Sequence, residues 1–92
     1  MLFYRDGLFD AQLLRTMGHN CYGGADLTEC WAAARNIRET DTKGWFAAWM
    51  ALAGRIQADA ELSLQRGHRV SARDGFLRAS NYYRNAYIFL IG

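Results

Sequence analysis

Apolar residues recur at helical spacing over most of the chain. Phe9, Leu13 and Met17 fall every four residues, with Leu14 beside them, which predicts a first helix from about Gly7 to Met17 with Gly18 as its C-cap. A loop with the pair Gly23–Gly24 follows. Asp26 then reads as an N-cap, with Glu29 three residues on as the reciprocal partner of a capping box. That second helix carries Cys30, Trp31, Ala34 and Ile37 and should stop in the polar stretch Arg38–Lys43.

The third helix is the longest. Asp41 or Thr42 caps it, it spans about 44–66, and Gly67 closes it. Trp45, Trp49, Leu52, Ile56 and Ser63 form its stripe, and Ala48, Ala53 and Ala60 beside them allow another helix to come close. After a turn over Gly67–Val70, Ser71 and Asp74 read as a second cap pair opening a helix over about 72–90. Phe76, Ser80, Tyr83, Tyr87 and Leu90 trace its expected inner face, with Leu77 and Ala79 adjoining. So short a link makes the last two helices antiparallel neighbours. The fold class is all-α, about four helices, a long αα-hairpin plus two shorter N-terminal helices. No strand-like alternation or internal repeat is present, and one hairpin is too little for a helical-repeat array.

With 92 residues there is room for one domain at most. Three Trp, five Tyr and five Phe are many for this length and point to a core, an interface or both. The net charge of +2 comes from interspersed signs, and Arg supplies ten of the eleven basic residues. Without a basic stripe, a nucleic-acid partner is not expected. Two cysteines, no secretion-type leader and no long apolar run make a cytoplasmic location the default, with no membrane span. The apolar run Tyr87–Ile91 has nothing after it to cover it, so more protein is expected to follow.

Catalytic motifs are missing. There is no G-x-S-x-G, and Ser63, Ser71 and Ser80 sit in predicted helices or at a cap, while His19 and His68 sit in loops. His19, Cys21 and Cys30 are too few and too irregularly spaced for structural zinc, and Gly23–Gly24 lacks the context of a phosphate loop. No metal or cofactor is therefore expected. Trp45 and Trp49 share a face and serve either the core or the wall of an apolar cavity. Tyr82 and Tyr83 point about 100° apart, so they cannot both face one core. Arg78, Asn81 and Arg84 lie beside them; they either pair with Asp59, Glu61 or Asp74 on the hairpin, or reach a ligand or a neighbouring domain.

Three stretches, Tyr22-Gly-Gly-Ala-Asp-Leu-Thr-Glu29, Gly67-His68 with Ser71-Ala72-Arg73, and Arg78-Ala-Ser-Asn-Tyr-Tyr-Arg84, resemble the N-terminal helical region of an α/β-hydrolase group. Phe9-Asp-Ala-Gln-Leu-Leu-Arg15 and the Trp45 and Trp49 helix resemble it too, in order and over nearly the whole chain. The group includes 2,6-dihydroxypseudooxynicotine hydrolase, fungal pigment polyketide-shortening hydrolases and fermentation–respiration switch esterases. The resemblance implies that residues 1–92 are a helical cap or lid, truncated from a larger hydrolase whose catalytic domain follows and carries the serine, acid and histidine. Such a lid shapes the cavity over a carbonyl-containing small-molecule substrate, whose C–C, ester or amide bond is cleaved. The segment alone should be inactive. It implies candidate substrate-lining or interdomain roles for Trp45, Trp49, Arg78, Asn81, Tyr82, Tyr83 and Arg84. Other readings are a free-standing helical interaction module, or a small homodimer burying Tyr87–Ile91.

Overall fold

The computed structural model describes residues 7–35, 37–38 and 41–89, without the side chains of Leu8 and Cys21. Four α-helices follow one another: α1 Gly7–Gly18, α2 Leu27–Ala34, α3 Thr42–Gln65 and α4 Arg69–Tyr87, with a 3₁₀ turn at His19–Tyr22 between the first two. No strand occurs among the described residues, and none of their helices is long and apolar enough to cross a membrane. The all-α expectation holds.

Local chemistry accounts for three helix ends. Asp26 caps α2 by accepting the Glu29 N–H at 3.0 Å, and Asp41 caps α3 by accepting that of Gly44 at 2.9 Å. Gly67, at φ 78°, ends α3. Its N–H reaches the Leu64 carbonyl at 3.0 Å while that of His68 reaches Ser63 at 2.9 Å, the paired bonds of a Schellman ending. A side chain at that φ would be strained, so glycine belongs there.

Four boundaries differ from expectation. Gly18 is right-handed at φ −59° and is the last residue of α1 rather than its cap; the chain winds on through the 3₁₀ turn until Gly23 at φ 79°. Helix α2 stops at Ala34, although Ile37 is still buried beyond it. Helix α4 begins at Arg69 with His68 as N-cap, so Ser71 and Asp74 lie inside it rather than at its start. The Schellman ending of α3 consumes only Gly67 and His68, which leaves the chain free to re-enter a helix at once. At the other end α4 stops at Tyr87, and Leu90 and Ile91 lie outside the described residues.

Helices α3 and α4 form the antiparallel hairpin. The α3 stripe is buried as expected: Trp45, Trp49, Leu52, Ala53, Ile56 and Ala60. On α4 the expected face is wrong. The buried positions are Ala72, Gly75, Ala79, Asn81, Tyr82, Asn85 and Ala86, whereas Ser80, Leu77 and Tyr87 are exposed and Phe76 and Tyr83 half-buried. Small residues win because they allow contact between backbones. A Cβ built on Gly75 would stand 2.9 Å from the Ala60 Cβ. Bulky side chains at this seam would hold the helices apart and forfeit the dispersion contacts along it.

Helices α1 and α2 close the core with Phe9, Leu13, Cys30, Ala33 and Ala34. Leu14, expected beside the α1 stripe, points to solvent. A run of aromatic contacts crosses the interior. Phe9 lies 5.1 Å from Trp45, Trp45 5.5 Å from Trp49, and Trp49 5.7 Å from Tyr82, all tilted as ring quadrupoles favour.

Of the C-terminal run, this core covers Phe89. Phe89 stacks on Phe9 at 4.7 Å and meets Trp45 edge-on at 5.0 Å. Tyr87, packed against Phe46, and Ile88 remain exposed.

Candidate functional site

Arg78, Asn81, Tyr82 and Asn85 fall at i, i+3, i+4 and i+7, so one side of α4 carries a polar stripe with a tyrosine in it. That stripe grips the Gly23–Asp26 loop and the start of α2. The Arg78 guanidinium pairs with Glu29 at 3.0 Å, both side chains about three-quarters buried. Tyr82 donates its hydroxyl proton to the same Glu29 carboxylate at 2.8 Å and accepts the Asp26 N–H at 2.8 Å. Asn81 donates its amide to the Gly24 carbonyl at 2.8 Å.

Glu29 is thereby drawn away from the capping-box role expected of it. Two donors on α4 occupy its carboxylate, and the Tyr82 hydroxyl satisfies the Asp26 N–H in its place. A carboxylate bonded to a guanidinium gains more than one returning to a neutral amide, which decides the choice. The hairpin acids Asp59, Glu61 and Asp74, expected as partners, are not used by Arg78. Glu61 accepts from Gln57, and Asp74 lies 3.8 Å from Arg73 on the exposed side.

Burial pushes the Cys30 thiol from its usual 9.0 up to about 11, outweighing the lowering influence of the neighbouring Tyr82 hydroxyl. Burial likewise drives the Tyr82 phenol up, with Cys30 and Glu29 adding to it and the bond from the Asp26 backbone opposing it. Both groups stay protonated at neutral pH, so Cys30 is a poor nucleophile and Tyr82 a poor base. Among the described residues no serine is hydrogen-bonded to a histidine, and no three of His, Cys, Asp and Glu gather as metal ligands. His19 instead meets the Tyr22 hydroxyl at 2.6 Å. This cluster holds parts of the chain together; it has no nucleophile–base pair.

The remaining candidates separate into interior and surface. Trp45 and Trp49 are fully buried, and Trp45 donates its indole N–H to the Asn85 carbonyl at 2.8 Å. The Trp49 indole N–H has no partner among the described residues. Tyr82 is buried and Tyr83 half-buried, on different sides of α4 as their spacing requires, and Tyr83 donates to Gln57 at 2.6 Å. Arg84 is exposed and lines a polar recess with Arg15 and His19. Residue-by-residue reading missed Glu29 and Asn85 as members of this network. The polar stripe at i, i+3, i+4 and i+7 on α4 was the signal available for Asn85; nothing local marks Glu29.

Comparison with known proteins agrees with the resemblance read from the motifs. Hydrolyase poxO of Penicillium oxalicum is 39% identical over 88 residues, which is 95% of this chain and 21% of that protein. Alpha/beta hydrolase xenA of Xenoacremonium sinensis is 41% identical over 83 residues, 89% of this chain and 20% of its own length. Hydrolase ORFZ of Pyricularia oryzae is 39% identical over 90 residues, covering 98% of this chain and 21% of that protein. No family profile matches the chain, and no solved structure does. The chain spans about a fifth of the length of the relatives it matches. It is a hydrolase-related segment, matched along nearly its whole length to about a fifth of each of those proteins.

Proposed function

We propose that this chain is the N-terminal helical cap of an α/β-hydrolase, packed over a catalytic domain supplied by the same polypeptide. The match of nearly the whole chain to a fifth of proteins named as hydrolases carries the reading. A cap excludes water and holds substrate against the nucleophile, which requires a rigid body and an apolar outer surface to dock. The Glu29–Arg78–Tyr82 cluster supplies rigidity. Leu27 and Trp31, four residues apart on α2 and each nearly half exposed, supply apolar surface. Trp45, Trp49 and Tyr82 form the framework behind such a surface, while Tyr83 and Arg84 reach outward as candidates to meet substrate or the second domain. The substrate is a small molecule whose C–C, ester or amide bond lies beside a carbonyl. The free, buried thiol of Cys30 fits a cytoplasmic setting.

The packing of Phe89 within its own core removes part of the surface that a homodimer through Tyr87–Ile91 would bury.

The test compares the complete gene product with a version lacking residues 1–92 on a panel of activated esters and vinylogous ketones. Loss of the cap should lower kcat/KM for bulky substrates on the order of a hundredfold, the usual cost of mispositioning a substrate. Small activated esters should suffer less, and residues 1–92 alone should hydrolyse nothing. An unchanged substrate profile after the deletion would overturn the proposal.

A further inference from the structure

Between the C-terminal halves of α1 and α4 lies a recess of about 240 Å³ whose lining contains no carboxylate. Arg15 and Arg84 stand at it, with the His19 ring. Neither arginine is paired with an acid among the described residues. The recess is built into the fold, since Thr16, Asn81 and Asn85, which also line it, are all more than nine-tenths buried.

The recess offers donors from Arg15, Arg84 and His19 and acceptor lone pairs from Thr16 and Asn81, whose amide nitrogen is spent on the Gly24 carbonyl at 2.8 Å. Thr16 gives its hydroxyl proton to the Gln12 carbonyl at 3.1 Å. Gln12 donates to the Asn85 side-chain oxygen at 2.8 Å, so that acceptor is engaged. The Asn85 amide nitrogen is buried out of reach of the recess and has no partner among the described residues. With the Tyr22 hydroxyl on His19 Nδ1, the free edge of that ring is Nε2, which carries the proton when Nδ1 accepts. Each of the two helix C-termini contributes only about half a negative charge, against a full positive charge on each guanidinium.

We propose that this recess binds a small oxyanion, a carboxylate or a phosphate, held between Arg15 and Arg84 with the His19 ring beside them. Planar guanidinium forks match the paired oxygens of either group. The volume suits an anion of a few heavy atoms. This binding does not depend on the chain acting as a cap, so failure of one leaves the other standing.

The experiment is hydrogen exchange read by mass spectrometry on the complete gene product, with inorganic phosphate, succinate, or sodium chloride at matched ionic strength. Saturable protection of the peptides covering 12–19 and 81–88 is expected with phosphate, succinate or both, and not with chloride. Protection by phosphate alone identifies a phosphorylated ligand, and protection by succinate a carboxylate. The double variant Arg15→Gln, Arg84→Gln should raise the half-saturating concentration at least tenfold. Both side chains are exposed, so its thermal unfolding should match the parent's, which separates lost binding from lost fold. Protection by chloride as strong as by the oxyanions, an undiminished response in the double variant, or no saturable protection overturns the proposal.

Discussion

Substituting Gly75 by alanine sets two effects of known size against each other. In a helix interior alanine is favoured over glycine by up to about 1 kcal/mol. At Gly75 the new methyl would lie 2.9 Å from the Ala60 Cβ and 3.6 Å from the Ala60 Cα. Carbon atoms in contact sit best about 3.5–4.0 Å apart. The obstructing atom is attached directly to the α3 backbone and has no rotamer to escape into, so the two helices must part. Such overpacking costs about 1–3 kcal/mol. The net expectation is a loss of about 1–2 kcal/mol, which for a domain of this size lowers Tm by about 4–16 °C. Gly54 is the internal control. A Cβ there would meet only the Tyr83 hydroxyl, at 3.8 Å, so Gly54→Ala should raise stability by about 0.5–1 kcal/mol. Both are read by thermal and urea unfolding followed by far-UV circular dichroism. A double-mutant cycle with Ala60→Gly, which removes the facing methyl, should show favourable coupling above about 1 kcal/mol. If Gly75→Ala stabilises as much as Gly54→Ala, the close seam between α3 and α4 is wrong.

Tyr82→Phe should cost about 1–3 kcal/mol in urea denaturation, because it strips the Asp26 N–H of its acceptor and Glu29 of a donor in a largely buried place. Gly67→Ala should cost about 1–2 kcal/mol through the left-handed backbone at φ 78°, measured the same way, with no new clash to confuse it. The raised Cys30 pKa makes stability fall on the alkaline side. Below pH 9 folded and unfolded thiols are both protonated and the contribution is complete; between pH 9 and about 11 only the unfolded thiol ionises, and roughly 2–3 kcal/mol is lost. Denaturation at pH 8 and pH 10 in parent and Cys30→Ala checks the sign, since the variant should lack that part of the fall. A thiol reagent at pH 8, with the modified peptide located by mass spectrometry, should reach Cys30 only as fast as the protein opens.

Helix existence, order and most of the caps were legible because those rules are local. Asp26, Asp41 and Gly67 act within four residues of themselves, and the α3 stripe of Trp45, Trp49, Leu52 and Ile56 is large and apolar enough to have one possible destination. The face of α4 was not legible. Bulk pointed to Phe76, Tyr83 and Tyr87, but the seam belongs to Ala72, Gly75, Ala79 and Ala86, because what packs best depends on the shape of the partner helix. Likewise Glu29 satisfies every local condition for closing a capping box, yet two donors more than forty residues away hold it instead. The tertiary structure also covered Phe89 with Phe9 and Trp45, and it brought Arg15 and Arg84, one from each end of the chain, to a common recess. Sequence by itself determined the helices, their order and the ends set by Asp26, Asp41 and Gly67, through interactions that need no partner. Only the folded chain decided which sides meet and which charges are left over, because those depend on fit and on groups far apart along the backbone.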